Sequence, residues 1–282
     1  MDKYFEDFSK YICAYSNFED SEYVIIGIPY DGTTSFKPGT RFAPDEVRKA
    51  SWGLETYSPI LKKDLIDLNV CDIGNIIMDG SQKEIFNRIY SATKDILKSG
   101  KKLITIGGEH SITYPIFKGI VDYYNEDIIL IQFDAHCDLR NEYLGNKYSH
   151  ASVIRRCHQH TEDIYQFGIR SGDREEWEYG WKNTNISMDL PNKDVVKEIR
   201  DKDKKIYITV DIDVLDPAYA PGTGTPEPCG FSSKELINAL YLFGDLKDRI
   251  VGFDVVEISP PYDIGGITSI MGAKIIREFI LL

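Results

Sequence analysis

The stretch IILIQFDAHCDLR, residues 128–140, sets a nearly all-apolar run directly against Asp134, His136 and Asp138, which recur at every second position. Apolar residues at consecutive positions mark a strand covered on both faces, as in a parallel sheet sandwiched between helices. Side chains alternate across an extended chain, so positions 134, 136 and 138 point one way while Ala135 and Cys137 point the other, into packing. Two carboxylates and an imidazole brought together beyond a buried strand are costly to desolvate, and the carboxylates repel each other; a cation relieves both costs. The stretch therefore reads as a strand whose end is a metal platform.

Working outward, YVIIGIP (23–29), KLITIG (102–107), IYITVD (206–211) and IVGFDVV (250–256) have the same two-sided apolar character, and DIYQFG (163–168) is a shorter candidate strand. Between them lie helical stretches. Ser81 followed by Glu84 forms a capping box ahead of a helix that stops at Gly100, Ser232 with Glu235 repeats the device before LINALYLFG, and a last helix occupies about 267–281. Strands alternating with helices predict a parallel sheet with crossover connections. No linker, repeat or low-complexity tract interrupts the chain, so a single domain over 1–282 is expected. Within residues 1–20, Tyr4, Phe5, Phe8, Tyr11, Tyr15 and Phe18 suggest an arm packing on the body or on a neighbouring subunit.

The strand-ending loops carry the unusual residues: GGEHS after 102–107, DAHCD after 128–133, DIDVLDP after 206–210 and EISPPYD after 250–256. In open α/β sheets ligands bind outside the carboxyl ends of the strands, so these four segments are expected to share one crevice. His110, Asp134, His136, Asp138, Asp211 and Asp213 would then bring four carboxylates and two imidazoles together, a set suited to two divalent ions. Carboxylate-rich and thiolate-free, it favours a hard ion, Mn²⁺ first, with Fe, Co, Ni or Zn compatible with the imidazoles. Two metals activating water support hydrolysis. Glu257 is not needed as a ligand and is free to pair with a cationic substrate group. His150, in KYSHAS, has the chemistry to carry protons to a leaving amine. His158 and His160, among charged residues, read as solvated. APGTGTPEP (220–228) lacks the order of a phosphate loop and reads as turn-rich packing around the metal loop.

Composition agrees. A chain of 282 residues with 42% hydrophobic content can bury one large core, and a formal net charge of −12 disfavours nucleic acid while steering in a small cation. No apolar run approaches the roughly 18 residues a membrane span needs, so no membrane association is expected. The acidic, aromatic start lacks the features of a secretory signal, and a cytoplasmic location is expected. The five cysteines are scattered, with no C-x-x-C, and read as reduced thiols.

Taken together, GGEHSIT, FDAHCDLR, YSHAS, DIDVLDPAYAPGTGTPEP and GFDVVEISPPYD resemble the motifs of the ureohydrolase family, the agmatinases, arginases and their relatives, from about residue 23 to the end. The resemblance implies a three-layer α/β/α fold around a mainly parallel, eight-stranded sheet, with two Mn²⁺ ions per subunit. It implies that His110, Asp134, Asp138 and Asp211 serve one ion or both, and that His136, with Asp134, Asp211 and Asp213, holds the other. His150 matches the proton-shuttling histidine and Glu257 the glutamate that binds the guanidinium, with Asp138 assisting proton movement. A homo-oligomer, trimer or hexamer, is also implied. The segment DLRNEYLGNKYSHASVIRR is most similar to the agmatinase branch, which implies conversion of agmatine to putrescine and urea. The alternatives are another member, acting on arginine, guanidinobutyrate or formiminoglutamate, and a catalytically silent polyamine-binding regulator. Departures from the pattern are small: Cys137 where Thr is frequent, with an oxidation liability, Thr209 where Ser is usual, and Cys229 where Gly is common.

Overall fold

The central strands form because alternate residues find an apolar layer on either side. In Ile128–Phe133, Ile129, Ile131 and Phe133 join one core cluster while Ile128 and Leu130 join the other, and every one of them is fully buried. The computed structural model describes Phe5–Glu6 and residues 9–282. In chain order its elements are β1 (Phe5–Glu6), β2 (Tyr23–Ile28), α1 (Ala43–Ser51), β3 (Tyr57–Ser58), β4 (Lys63–Asp64), β5 (Val70–Ile76), α2 (Gln82–Lys98), β6 (Lys102–Gly107), α3 (Thr113–Tyr124), β7 (Ile128–Phe133), α4 (Val153–Cys157), β8 (Ile164–Phe167), α5 (Arg174–Asn183), β9 (Asn185–Ser187), α6 (Lys193–Asp201), β10 (Lys205–Asp211), α7 (Ser233–Tyr241), β11 (Ile250–Val256) and α8 (Ile267–Leu281).

The sheet runs β1-β5-β2-β6-β11-β10-β7-β8-β9. From β5 to β9 the eight strands are parallel, and the two-residue β1 pairs antiparallel at one edge. Helices α2 to α5 cover one face and α1, α6, α7 and α8 the other, giving the expected three-layer α/β/α arrangement. After β6 the chain crosses two strand positions to place β7, and β11 and β10 later fill the gap. The carboxyl ends of β6, β11, β10 and β7 are thus neighbours, which is where the four motif loops emerge. Among the described residues no helix is long and apolar enough to cross a membrane.

Both expected capping boxes are formed, with Ser81 and Glu84, and Ser232 and Glu235, exchanging side-chain and backbone bonds. A third, Asp173 with Glu176, opens α5. Two strands of the parallel sheet, β5 and β9, are not anticipated by the sequence pattern. VCDIGNI lacks an apolar rhythm because its polar residues face an equally buried partner. Arg48, fully buried on α1, reaches Asp72 through Nε and Nη2, both at 2.8 Å, and Asn75 through Nη1 at 2.5 Å. Tyr11 N donates to the same Asp72 carboxylate at 2.8 Å and the Tyr11 hydroxyl to Ala273 O at 2.6 Å. The described part of residues 1–20 therefore packs on the body of its own chain; Tyr4 and Phe8 of the expected arm lie outside the described residues.

A second polar cluster ties the final helix down. Glu278 accepts from Ser58 (2.6 Å), Tyr241 (2.9 Å), Lys274 (2.6 Å) and Arg277. Burial opposes its charge, but these donors outweigh burial and hold the carboxyl down at about 2 against an ordinary 4.5. Two outcomes follow for stability. Asp72→Ala strands the Arg48 guanidinium in the core and is expected to cost about 3–5 kcal/mol in urea unfolding. Because the Glu278 carboxyl titrates lower folded than unfolded, its stabilisation is complete above pH 4.5 and fades as pH falls toward 2; Glu278→Gln should flatten that limb of the stability curve.

Candidate metal centre and active site

Asp134 is the first residue beyond β7 and has no exposed surface. The expected alternation does not continue to Asp138. That residue has φ 54°, in the left-handed region, and its carbonyl accepts from Ile154 N (3.1 Å) and Arg155 N (3.2 Å), so a turn pinned by α4 delivers its carboxylate. Nor does alternation carry Asp213 beside Asp211: Ile212–Val214 is a 3-10 turn, capped by Asp211, whose Oδ1 accepts from Asp213 N at 2.9 Å. Turns, which need not obey the period of two, achieve what an extended segment was expected to do. Ala135, Cys137 and Ile212 do face into packing and are fully buried. Burial, reinforced by Glu176 and Asp138, pushes the Cys137 thiol well up, which opposes the oxidation liability read from the sequence.

The six candidate ligands meet in two groups that share Asp134. His110 Nδ1 lies 3.1 Å from Asp134 Oδ2, 3.0 Å from Asp138 Oδ2 and 3.4 Å from Asp211 Oδ2. His136 Nδ1 lies 3.0 Å from Asp213 Oδ2 and 3.6 Å from Asp134 Oδ1. In each of the sets His110–Asp134–Asp211 and Asp134–His136–Asp213, the ligand atoms lie within 4.8 Å of one another. His110 Nδ1 and Asp213 Oδ2 are buried without a hydrogen-bond partner. A buried atom that could accept a bond and has none is expensive, and two aimed into one carboxylate-rich hollow fit a pair of divalent cations.

A surrounding layer fixes these groups. Gln132 Nε2 and His136 N donate to the two oxygens of Asp134, both at 2.6 Å, and Ala135 N donates to Asp213 Oδ1 at 3.1 Å. His110 Nε2 is 2.9 Å from Thr209 Oγ1, and the Thr209 hydroxyl donates to Asp254 Oδ1 at 2.6 Å. Because that hydroxyl gives its proton to Asp254, it accepts from His110 Nε2–H, which orients the ring so that Nδ1 faces the carboxylates. Without cations the charges distort one another. Burial and then the charge of Asp134 push the Asp138 carboxyl up to about 7, and burial followed by Asp213 and Asp134 raises Asp211 well above the carboxylate range.

Above the ligands opens a cavity of about 350 Å³ lined by His110, His136, Asp138, Asp211, Arg140, Tyr143, His150 and Glu257, among others. Glu257 has φ 64°, its backbone N donates to Gly108 O at 2.8 Å, and its Oε1 accepts from His110 N at 2.7 Å. Burial and then Glu109 raise its carboxyl well above the ordinary range, and among the described residues no lysine or arginine forms an ion pair with it. His150 starts a short 3-10 turn; burial and then the nearby His136 and His110 lower its imidazole to about 4. At the mouth, Arg140 pairs with Asp173 (3.1 Å) and Glu176 (3.3 Å) and stacks near Tyr143.

Six of the eight expected site residues line this cavity, and Asp134 and Asp213 lie buried against the ligand histidines without lining it. His158 and His160, read as solvated, are half-buried instead: His158 Nδ1 meets the Tyr179 hydroxyl at 2.5 Å, and His160 packs against Tyr114. The APGTGTPEP segment packs beside the Glu257 loop, Ser259 N donating to Gly222 O at 2.7 Å. Sequence reasoning missed Gln132, Asp254, Arg140 and Glu109. Glu109 sits inside GGEHS, where the signal was a charged residue adjacent to a ligand histidine on a buried turn. Gly108 allows that turn, since a Cβ there would meet Tyr30 O at 2.0 Å.

Residues 21–282 match the sequence model described as the Arginase family. The agmatinase of Halalkalibacterium halodurans is 41% identical over 96% of this chain and 95% of its own, and that of Bacillus anthracis 39% identical over the same shares. The crystal structure of the agmatine ureohydrolase of Thermoplasma volcanium superposes with a TM-score of 0.89 at 36% identity, covering 98% of this chain and 94% of that one.

Two substitutions test the centre by titration calorimetry with Mn²⁺. Asp134→Ala, which removes the carboxylate shared by both groups, is expected to abolish high-affinity binding. Thr209→Val, which leaves every ligand in place but frees the His110 ring, should weaken binding by about 10–100-fold.

Proposed function

The chain belongs to the arginase family, and from that premise we propose that it hydrolyses agmatine to putrescine and urea at a centre of two divalent ions, Mn²⁺ foremost. The observation that carries this reading is the pair of carboxylate–imidazole groups sharing Asp134 beneath a cavity whose wall holds Glu257, a buried carboxylate with no cationic partner among the described residues of its own chain. The occupant such a carboxylate lacks is a guanidinium.

His110, Asp134, Asp138 and Asp211 would hold one ion and His136, Asp134, Asp211 and Asp213 the other, with Asp134 and Asp211 common to both. Ions bound there would supply a nucleophile from water at neutral pH and neutralise the clustered carboxylates. The remaining steps belong to the side chains. Glu257, pinned through Oε1 by His110 N, presents its other oxygen to the guanidinium and sets the reacting carbon over the ligands. Asp138 takes up a proton as the carbon becomes tetrahedral. His150 passes a proton to the departing nitrogen, so that putrescine leaves as an amine rather than as an amide anion.

The mouth supports the choice of substrate. Arg140 is engaged by both Asp173 and Glu176, so the entrance carries a net negative balance, and the whole chain carries −12. A substrate tail that is only an ammonium is favoured there over one that also bears a carboxylate. The proposed enzyme works in the cytoplasm as a homo-oligomer, a trimer or hexamer.

Urea release by the Mn²⁺-loaded protein, measured against agmatine, arginine and guanidinobutyrate at matched concentrations, with formamide release scored for formiminoglutamate, separates the readings. Agmatine should be preferred by at least about 10²-fold in kcat/KM. Preference for another member of the panel would keep the centre and move the substrate, whereas tight agmatine binding with no urea from any would favour the silent regulator.

A further inference from the structure

We propose that Glu109 is a positioning residue that, acting through Thr33, fixes the orientation and tautomer of His150. The inference rests on the assignment of His150 as the proton donor. Glu109 has no exposed surface and immediately precedes the cavity-lining His110. Its Oε1 accepts from the Thr33 hydroxyl at 2.5 Å and its Oε2 from Thr33 N at 2.7 Å, so one carboxylate grips both ends of a single residue. Ser111 Oγ (2.5 Å) and Thr34 Oγ1 (3.2 Å) complete its shell.

Thr33 is in turn the residue that holds His150. Its Oγ1 accepts from His150 backbone N at 3.1 Å and lies 3.2 Å from His150 Nδ1. A hydroxyl has one proton, and here it is given to Glu109; toward the ring, Oγ1 can only accept. His150 therefore carries its proton on Nδ1, and Nε2 keeps the lone pair needed to collect a proton and hand it on. Tyr143 meets the ring edge-on, with centroids 5.7 Å apart and planes at 86°, which completes the clamp. The same device holds the metal-side histidine: Asp254 takes the Thr209 proton, and Thr209 accepts from His110. Two carboxylate–threonine–histidine relays, oriented by different strands, thus set the protonation pattern of two rings in one site.

The decisive substitution is Glu109→Gln, which keeps shape and reverses polarity at one atom. With its carbonyl facing Thr33 N–H, the amide NH₂ faces Thr33 Oγ1 and donates to it. The Thr33 hydroxyl then turns to His150 and stabilises the opposite tautomer. Expected for the Mn²⁺-loaded full chain is a fall in kcat on the order of 10²-fold with KM for agmatine within about threefold of wild type, and with metal content unchanged. On the Zn²⁺-loaded protein, ¹⁵N spectra of the ring nitrogens, assigned against His150→Asn, should show the proton moving from Nδ1 to Nε2. Thr33→Val should lose kcat similarly, and Thr33→Ser should recover at least about tenfold over Thr33→Val. Unchanged kcat and tautomer in Glu109→Gln would overturn the relay. If that variant loses its metal or its fold, the Thr33 pair decides, and wild-type kcat in Thr33→Val overturns the proposal. Should the wild-type protein release no urea from agmatine, the failure lies with the substrate reading, and the ring spectra still answer whether Glu109 sets the tautomer.

Discussion

Like charges forced together at the ends of the central strands govern the rest of this structure. Asp134, Asp138, Asp211, Asp213 and Glu257 are each at most 6% exposed, and the Asp134 and Asp211 carboxylates both lie within 3.5 Å of the His110 ring. Desolvating one carboxylate without a partner costs several kcal/mol, and neighbours of the same sign add to it. Backbone donors offset part of that cost: His136 N, Asp213 N, Ala135 N and His110 N each give a proton to a site carboxylate. The other oxygens crowd the His110 and His136 rings. Protonation relieves part of the repulsion that remains, as the raised Asp138, Asp211 and Glu257 carboxyls show, and bound cations would relieve the rest.

Such a cluster needs a frame that cannot relax away from it. Four adjacent parallel strands buried on both faces provide one, since their backbone groups are bonded to neighbours on each side and their side chains are packed above and below. The topology matters in detail. Because β11 and β10 come late in the chain and insert between β6 and β7, residues near 110, 134, 211 and 257 become neighbours although up to 147 positions separate bonded partners. The positive φ values of Asp138 and Glu257 place a charged side chain where regular structure would not, and strain of this kind persists only when surrounding contacts impose it.

The sequence made the central sheet legible because its strands are apolar on both faces at most positions, with only a few polar residues such as Gln132, Thr209 and Asp254 among them. It made the candidate ligands legible because carboxylates and imidazoles crowded at the ends of such strands are too costly to keep unless they hold a cation or move a proton. It concealed β5, whose Asp72 and Asn75 are polar for the sake of Arg48, a partner on another element that no local window contains. It misled at Asp138 and Asp213, where the period of an extended chain suggested the right direction for the wrong reason: a left-handed residue and a 3-10 turn do the placing. It was silent on Asp254 and Glu109, because a buried carboxylate that acts through an intervening hydroxyl looks, in sequence, like one more acidic residue.

That intervening hydroxyl has a physical purpose. A carboxylate bonded directly to the His150 ring would hold the same tautomer, but it would also stabilise the protonated imidazolium and weaken a group that has to give its proton away. It would further add a full charge beside a cavity already dense with negative charge. Threonine transmits the direction of the hydrogen bond while keeping the charge of Glu109 one residue farther off. At His110 the same arrangement serves a different end. As the proposed ligand, the ring would offer a lone pair at Nδ1, and Thr209, by accepting from Nε2–H, favours that choice without bringing Asp254 against the ring. One device, used twice, suits the two roles proposed for histidine here, a metal ligand on one side of the cavity and a proton carrier on the other.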